Sequence, residues 1–254
     1  MFVNERAYQI MDHLKIHKKA TIAELSKALF ASESTIRRDL AEMQEQGLIA
    51  RYHGGAILLE GIGETSIFFR AEKDQEAKDA CAAIAQKHIP PPTGPEPVNT
   101  LFIDNSSTCL ALAKRLDFTN KTVITNGLQV ALQLSQKPDI HLIMPGGSVN
   151  PSTGAITGSL ATRMLDDFGI DLALTSCAAF DGSGAFELSL ETALLKQIAA
   201  KKSRKKLLVA SANKFGVSAP YRVLPLEDYD AVITDADDEA IKPLLDKGIC
   251  VYNK

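Results

Sequence analysis

Within the stretch SESTIRRDLAEM, residues 32–43, two adjacent arginines follow three hydroxyl residues, Ser32, Ser34 and Thr35. A guanidinium presents a planar fork of donors that matches guanine's major-groove edge or a phosphate, and hydroxyls bond phosphate oxygens. These residue types together are suited to a polyanion. On a helix, neighbouring positions are turned by about 100°, so the two arginines cannot share a role. With Ile36 taken as zero, Leu40 at about 40° and Met43 at about -20° mark the buried side, and Arg38 at about 200° points away from it with Ser34 and Ala41. Thr35 and Arg37 lie on the flanks, and Asp39 leans to the edge of the core. The expectation is that Arg38 reads a base while Arg37 grips phosphate.

A second group lies in FIDNSSTCLAL, where Asp104, Asn105, Ser106, Ser107 and Thr108 stand between an apolar strand-like run and a helical one. Hydroxyls and free N–H groups at a helix start form an anion site suited to phosphate. One serine suffices for ordinary capping, and three consecutive hydroxyl residues exceed that need. Asn126 in TNG and Gly146 and Gly147 in PGG close the next two apolar runs, so the three stretches are expected to share one rim.

The elements that must position these residues follow from the pattern. Ala7, Ile10, Met11 and Leu14 have helical spacing; Thr21 and Glu24 form a capping box before a second helix carrying Ile22, Leu25 and Leu29. Ser32 caps a third helix, which is expected to run to about Gln46 and stop at Gly47. LIARYHGGAILLE then reads as two short strands around a turn. Three helices and a hairpin outline a winged helix-turn-helix. Residues 1–58 form this domain and 59–71 a linker that docks at its end. Residues 72–254 form a larger domain, helical from Glu72 to His88, interrupted by the proline-rich IPPPTGPEPVN and then alternating between strands and helices. That alternation predicts a doubly wound, mostly parallel α/β sheet, whose ligands collect at the carboxyl ends of the strands.

At 254 residues with 45% hydrophobic content, the chain is long and apolar enough for two domains rather than a disordered chain. The net charge is -3, but residues 1–58 carry eight Lys/Arg against seven Asp/Glu, a slightly positive head on an acidic body. No apolar run is long enough to cross a bilayer, and the first residues lack the apolar core of a secretory signal, so a cytoplasmic protein with no membrane partner is expected. Cys81, Cys109, Cys177 and Cys250 have no spacing for zinc or a disulfide framework and read as reduced core thiols. No metal and no cofactor is expected.

ASESTIRRDLAEMQEQGLIARYHGGA closely resembles the signature of the DeoR family of bacterial transcriptional regulators, and Ala31 replaces the valine common at that position. The resemblance extends over nearly the whole chain. It implies a wing in which Arg51, His53 and Gly54 join the DNA surface, operator DNA as partner, binding as a homo-oligomer, and a sensor domain resembling sugar-phosphate isomerases that takes a phosphorylated sugar. It also points to Phe69, Arg70 and Lys78 near the domain junction, to Asp181 and Gly182 in AAFDGSGAF, to Glu191 and Lys196 in ETALLKQ, and to Lys214 in SANKFG as a phosphate partner. DNSST stands where the family has a Gly-Thr-Thr run, and Ser211 stands in place of an aspartate. The expected function is a repressor of a carbohydrate-utilisation operon released by a phosphorylated sugar. One alternative is a sugar-phosphate isomerase or deaminase with an N-terminal interaction domain. Another is an activator or nucleoid-binding protein insensitive to ligand.

Overall fold

The computed structural model describes residues 5–45, 48–58, 66–90, 97–117 and 120–254. The expected end of the third helix at Gln46 and Gly47, residues 59–65 of the expected linker, and residues 91–96 of the proline-rich loop lie outside them. The chain divides into two compact units, Met1–Glu72 and Lys73–Lys254.

In the first unit, α1 (Glu5–His17) leads through β1 (Lys19–Thr21) into α2 (Ile22–Ala28), α3 (Glu33–Glu45), β2 (Ile49–Tyr52), β3 (Gly55–Leu58) and α4 (Ile67–Glu72). Both capping signals work as the sequence implies. The Glu24 N–H donates to Thr21 Oγ1 and the Thr21 N–H to Glu24 Oε2, while Ser32 Oγ accepts from the Thr35 N–H. Ile10, Leu14, Leu25, Ile36, Leu40, Met43 and Ile49 form the core, which gives α3 the buried side that its periodicity marks.

Two features go beyond the sequence reading. KIHKKA, read only as a helix end, closes on the first two residues of β1, which pairs antiparallel with β3 and makes the wing a three-stranded sheet. A Cβ on Gly55 would lie 2.3 Å from the Ala20 carbonyl oxygen, so the second glycine of HGG permits this close approach. The segment expected as linker ends in α4, whose Phe69 joins the first unit's core with its ring centroid 4.2 Å from that of Tyr8. The helix expected from Glu72 instead breaks at Asp74, which has φ +51°, a conformation Asp tolerates better than most residues.

Asp39 is 2% exposed and accepts two bonds from the Arg6 guanidinium, at 2.5 and 3.1 Å. This bidentate tie joins α1 to α3 across 33 residues of sequence. Asp39→Ala in the full-length protein is expected to cost about 2 kcal/mol, the scale of a charge-assisted pair, and so to speed hydrogen exchange of the α1 amides about 30-fold. Unchanged protection would show that the tie is not structural.

In the second unit, α5 (Gln75–His88) precedes β4 (Thr100–Ile103), α6 (Ser107–Arg115), β5 (Lys121–Thr125), α7 (Leu128–Leu134), β6 (Ile140–Ile143), β7 (Ser148–Val149), β8 (Ile156–Thr157), α8 (Ser159–Asp166) and β9 (Ile170–Thr175). Then follow β10 (Ala179–Asp181), β11 (Gly184–Glu187), α9 (Leu190–Lys201), β12 (Ser203–Val209), β13 (Tyr221–Leu224), β14 (Ala231–Ile233), α10 (Asp238–Leu245) and β15 (Val251–Tyr252). The main sheet has the order β15-β14-β12-β9-β4-β5-β6, and all its ladders are parallel. Phe102, Ile124 and Ala173 cluster with Ala161 and Leu165 of α8 and Leu195 and Ala199 of α9. Leu101, Ile103, Val123, Leu172 and Leu174 alternate with them and by the strand period face the other way, where α5, α6 and α7 pack in sequence. The sheet is thus apolar on both faces, as parallel sheets require.

The small β10-β11-β13 sheet and the β7-β8 pair were not expected as strands. Cys81, Cys109 and Cys177 are buried free thiols, whereas Cys250, just before the last strand, is exposed. Among the described residues no helix is long and apolar enough to cross a membrane.

Candidate nucleic-acid interface and ligand site

On α3, Ile36 and Leu40 are fully buried and Met43 nearly so, while Ser34, Arg37 and Arg38 are exposed on the other side. Ser32, also exposed, bonds both the Ser34 and the Thr35 hydroxyl, at 2.9 and 2.8 Å, and so holds three hydroxyls together at the helix start. Thr35 is half-buried, and Ala41, read as part of the outward face, is half-buried as well. The arginines differ. Arg37 is paired with Glu33 one turn earlier, at 2.7 Å, whereas Arg38 has no ion-pair partner among the described residues. On the wing, which packs beside α3 through β2, Arg51, His53 and Gly54 are exposed.

In the second unit the sheet order reverses between β4 and β9: β5 and β6 continue to one side of β4, and β12, β14 and β15 continue beyond β9. The carboxyl ends flanking this switch point are the expected place for a ligand in an open α/β sheet. Asp104 and Asn105 follow β4 there, and Ser176 follows β9.

Asp104 is fully buried, and both its oxygens are occupied. Oδ1 accepts from the Ser106 N–H at 2.9 Å; Oδ2 accepts from the Ser176 N–H at 2.8 Å and is paired with Lys196 Nζ at 2.6 Å. Lys196, 1% exposed on α9, also donates to Glu187 Oε1 at 2.6 Å and the Ser176 carbonyl at 2.8 Å. An ammonium has three hydrogens to donate, so this set saturates it. Burial alone would raise the Asp104 pKa and lower that of Lys196. The charge of each on the other, joined by Glu187 and the N–H donors, outweighs burial and moves them in the opposite senses, so both stay ionised.

Lys214, in the loop after β12, donates to Ser176 Oγ at 3.0 Å and Thr108 Oγ1 at 3.3 Å. It is half-buried, and among the described residues its ammonium bonds hydroxyls and forms no ion pair with a carboxylate. Ser106 caps α6 by accepting from the Cys109 N–H, while Ser107 and Thr108 sit in its first turn. Asn126 is fully buried after β5; its amide donates to Asn105 Oδ1 and the Ile156 carbonyl, and its own Oδ1 has no partner among the described residues.

The expected contacts thus do not all meet. Asn105, Ser106, Ser107, Thr108, Asn126 and Lys214 converge at the switch point. Asp104 stands at the same place as an internal anchor, fully buried and tied to Ser106, Ser176 and Lys196. Gly147 is explained by packing, because a Cβ there would lie 2.5 Å from the Thr157 carbonyl oxygen across the β7-β8 pair; Gly146 is exposed beside Leu160. Asp181 accepts from the Ser183 N–H and hydroxyl at the turn between β10 and β11, which hold its pKa low, and bonds no member of the cluster. The sequence reading missed Ser176 and Glu187. Ser176 ends an apolar strand run, the same signal that selected Asn105 and Asn126. A shallow concavity of about 430 Å³ at the amino ends of β5 and β6, lined by Asn120, Lys121 and His141, lies at the opposite end of the strands from this chemistry.

Residues 6–61 match the family model described as a DeoR-like helix-turn-helix domain, and residues 73–236 match the DeoR C terminal sensor domain. The chain is 34% identical to the HTH-type transcriptional regulator GolR of Listeria innocua over 92% of this chain and 91% of that one. It is 32% identical to the glycerol-3-phosphate regulon repressor of Escherichia coli, covering 91% of this chain and 90% of the other. With the L-fucose operon activator of the same species it shares 31% identity over 91% and 94% of the two chains.

Proposed function

The chain belongs to the DeoR family of DNA-binding transcription regulators, and from that premise we propose that it represses a carbohydrate-utilisation operon and is released by a phosphorylated sugar bound at the switch point of its second unit. The observation that carries this reading is Lys214, a cation that among the described residues is held by the Thr108 and Ser176 hydroxyls, beside the start of α6. A phosphate replaces those neutral partners with a charge-assisted pair and gains the helix start as a second source of attraction. The partnerless Asn126 oxygen supplies an acceptor for a sugar hydroxyl.

The protein is a regulator and not an enzyme, in keeping with its regulator relatives. The chemistry agrees: a general base working near neutrality needs a carboxylate with a raised pKa, and at Asp104 burial, which would raise it, is outweighed by the Lys196 charge. The reading of Ser32, Ser34, Thr35, Arg37, Arg38, Arg51, His53 and Gly54 as the operator contacts rests on their exposure around α3 and the wing. Two copies acting on two-fold related half-sites suit a motif that offers one recognition helix per chain.

Release requires that the ligand prefer the form that binds DNA poorly, since equal affinity for both forms shifts nothing. The test is operator affinity at one fixed salt concentration, with and without a panel of pentose and hexose phosphates. Lys214→Met is expected to bind operator within about twofold of wild type and to need at least about tenfold more sugar phosphate for the same release, the scale of one charge-assisted contact. If no phosphosugar alters wild-type binding, the effector reading fails; if Lys214→Met responds like wild type, the ligand lies elsewhere.

A further inference from the structure

In the turn that joins α2 to α3, Phe30 is 98% exposed and has a backbone φ of +50°. Both features are unfavourable for this residue type. The left-handed region is sterically unfavourable for a bulky side chain, and glycine or asparagine would occupy it with less strain. An aromatic ring wholly in water makes no contribution to the core, and Phe30 is absent from the cluster that buries its neighbours Leu25, Ile36 and Leu40. The turn does not need the ring to hold its shape. The Leu29 N–H donates to the Leu25 carbonyl, the Ala31 N–H to the Ser26 carbonyl and the Ser26 hydroxyl to the Ala31 carbonyl, so backbone and serine close it. A strained, fully exposed aromatic in an otherwise self-sufficient turn is an outlier from which function may be inferred.

Its place in the fold says what it meets. Phe30 lies two residues before Ser32, whose hydroxyl caps α3 and gathers the Ser34 and Thr35 hydroxyls. We propose that Phe30 is an operator contact, its ring packing on the apolar part of the DNA beside the recognition helix: the deoxyribose carbons and, where one is presented, a thymine methyl. Apolar side chains make such contacts in protein–DNA complexes, and burial of the ring on binding supplies what the free protein lacks. The inference rests on α3 being the reading helix.

The experiment uses full-length protein and an operator fragment selected by wild-type protein from random-sequence duplex DNA. Phe30→Gly and Phe30→Asn are expected to melt no lower than wild type, because both relieve the left-handed strain, and yet to bind the fragment about tenfold more weakly, the scale of burying part of an aromatic side chain. Phe30→Tyr, which keeps the ring, is expected to stay within about twofold of wild type on the same scale. Because no phosphate charge is neutralised, the dependence of affinity on salt is expected to keep its slope in all three variants. Arg38→Ala serves as the internal reference. If it weakens binding while Phe30→Gly does not, the proposal is overturned and the reading of α3 stands; if neither weakens binding, the reading of α3 itself fails. A change in oligomer mass in Phe30→Gly without a change in affinity per assembled particle would assign the ring to a contact between copies and likewise overturn the proposal, as would a lower melting temperature.

Discussion

Lys196→Met is expected to destabilise the second unit by about 3–5 kcal/mol, the cost of leaving buried charge without its partner. Lys196 is the cation between two buried carboxylates, Asp104 at 2.6 Å and Glu187 at 2.6 Å, and methionine fills the space of its stem without replacing the charge. Asp104 retains two N–H donors in the variant, from Ser106 and Ser176, but loses the charge that outweighs its burial. Urea unfolding of the full-length variant, followed by a probe in the second unit, measures the loss.

The pH dependence identifies the cause. In the wild type, Lys196 has a raised pKa, so its contribution is complete below the pKa of an unfolded lysine and is lost as pH rises through the folded value. Asp104 has a lowered pKa, so its contribution is complete above that of an unfolded aspartate and is lost as pH falls through the folded value. Between about pH 5 and 9 these two groups leave wild-type stability flat. In Lys196→Met the Asp104 carboxylate, buried without its cation, is expected to have a raised pKa. Its protonation relieves the penalty, and the gap from wild type narrows on going from pH 8 to pH 5. A gap that is constant across that range would mean that the loss comes from packing alone.

This cluster also shows where sequence reasoning stops. The strand ends at Asp104, Asn126 and Ser176 are legible from apolar runs, because a parallel sheet buries both faces and so writes its strands as continuous hydrophobic segments. Nothing local reveals that Lys196, on a helix apolar nearly all round, returns to cancel the Asp104 charge. That pairing spans 92 residues and depends on the sheet order. The same limit applies in the first unit: the position of Asp39 at the core edge follows from its angle on the helix, but its partner Arg6 comes from another element. Short strands fail for a different reason. Three residues in β1 and two in β7 hold too little of the two-residue period to be seen, and of the glycines that make their pairing possible, Gly55 reads in sequence as a turn residue and Gly147 as part of the ligand rim.

Arg38→Ala is expected to cost about 1–3 kcal/mol at the selected operator and to relax sequence preference, leaving binding to unrelated DNA almost unchanged. The two arginines enter DNA binding from different starting states. Arg38 is exposed on the side of α3 opposite Ile36 and Leu40 and has no ion-pair partner among the described residues, so it reaches a base edge without first giving up a contact. Arg37 is held by Glu33 and must exchange that carboxylate for a phosphate. An exposed pair of this kind is worth little on its own, about 0.3–0.5 kcal/mol, so the exchange is easy, but it makes Glu33 a competitor for the DNA. Arg37→Ala is therefore expected to weaken all DNA alike and to reduce the salt slope by about one. Glu33→Gln, by removing both the competitor and a negative charge near the backbone, is expected to strengthen binding to unrelated DNA and leave sequence preference intact. Affinity for the operator and for a scrambled duplex, each measured across a salt series, separates the roles. Loss of specific and non-specific binding in equal proportion in both arginine variants would show that position around the helix does not divide them.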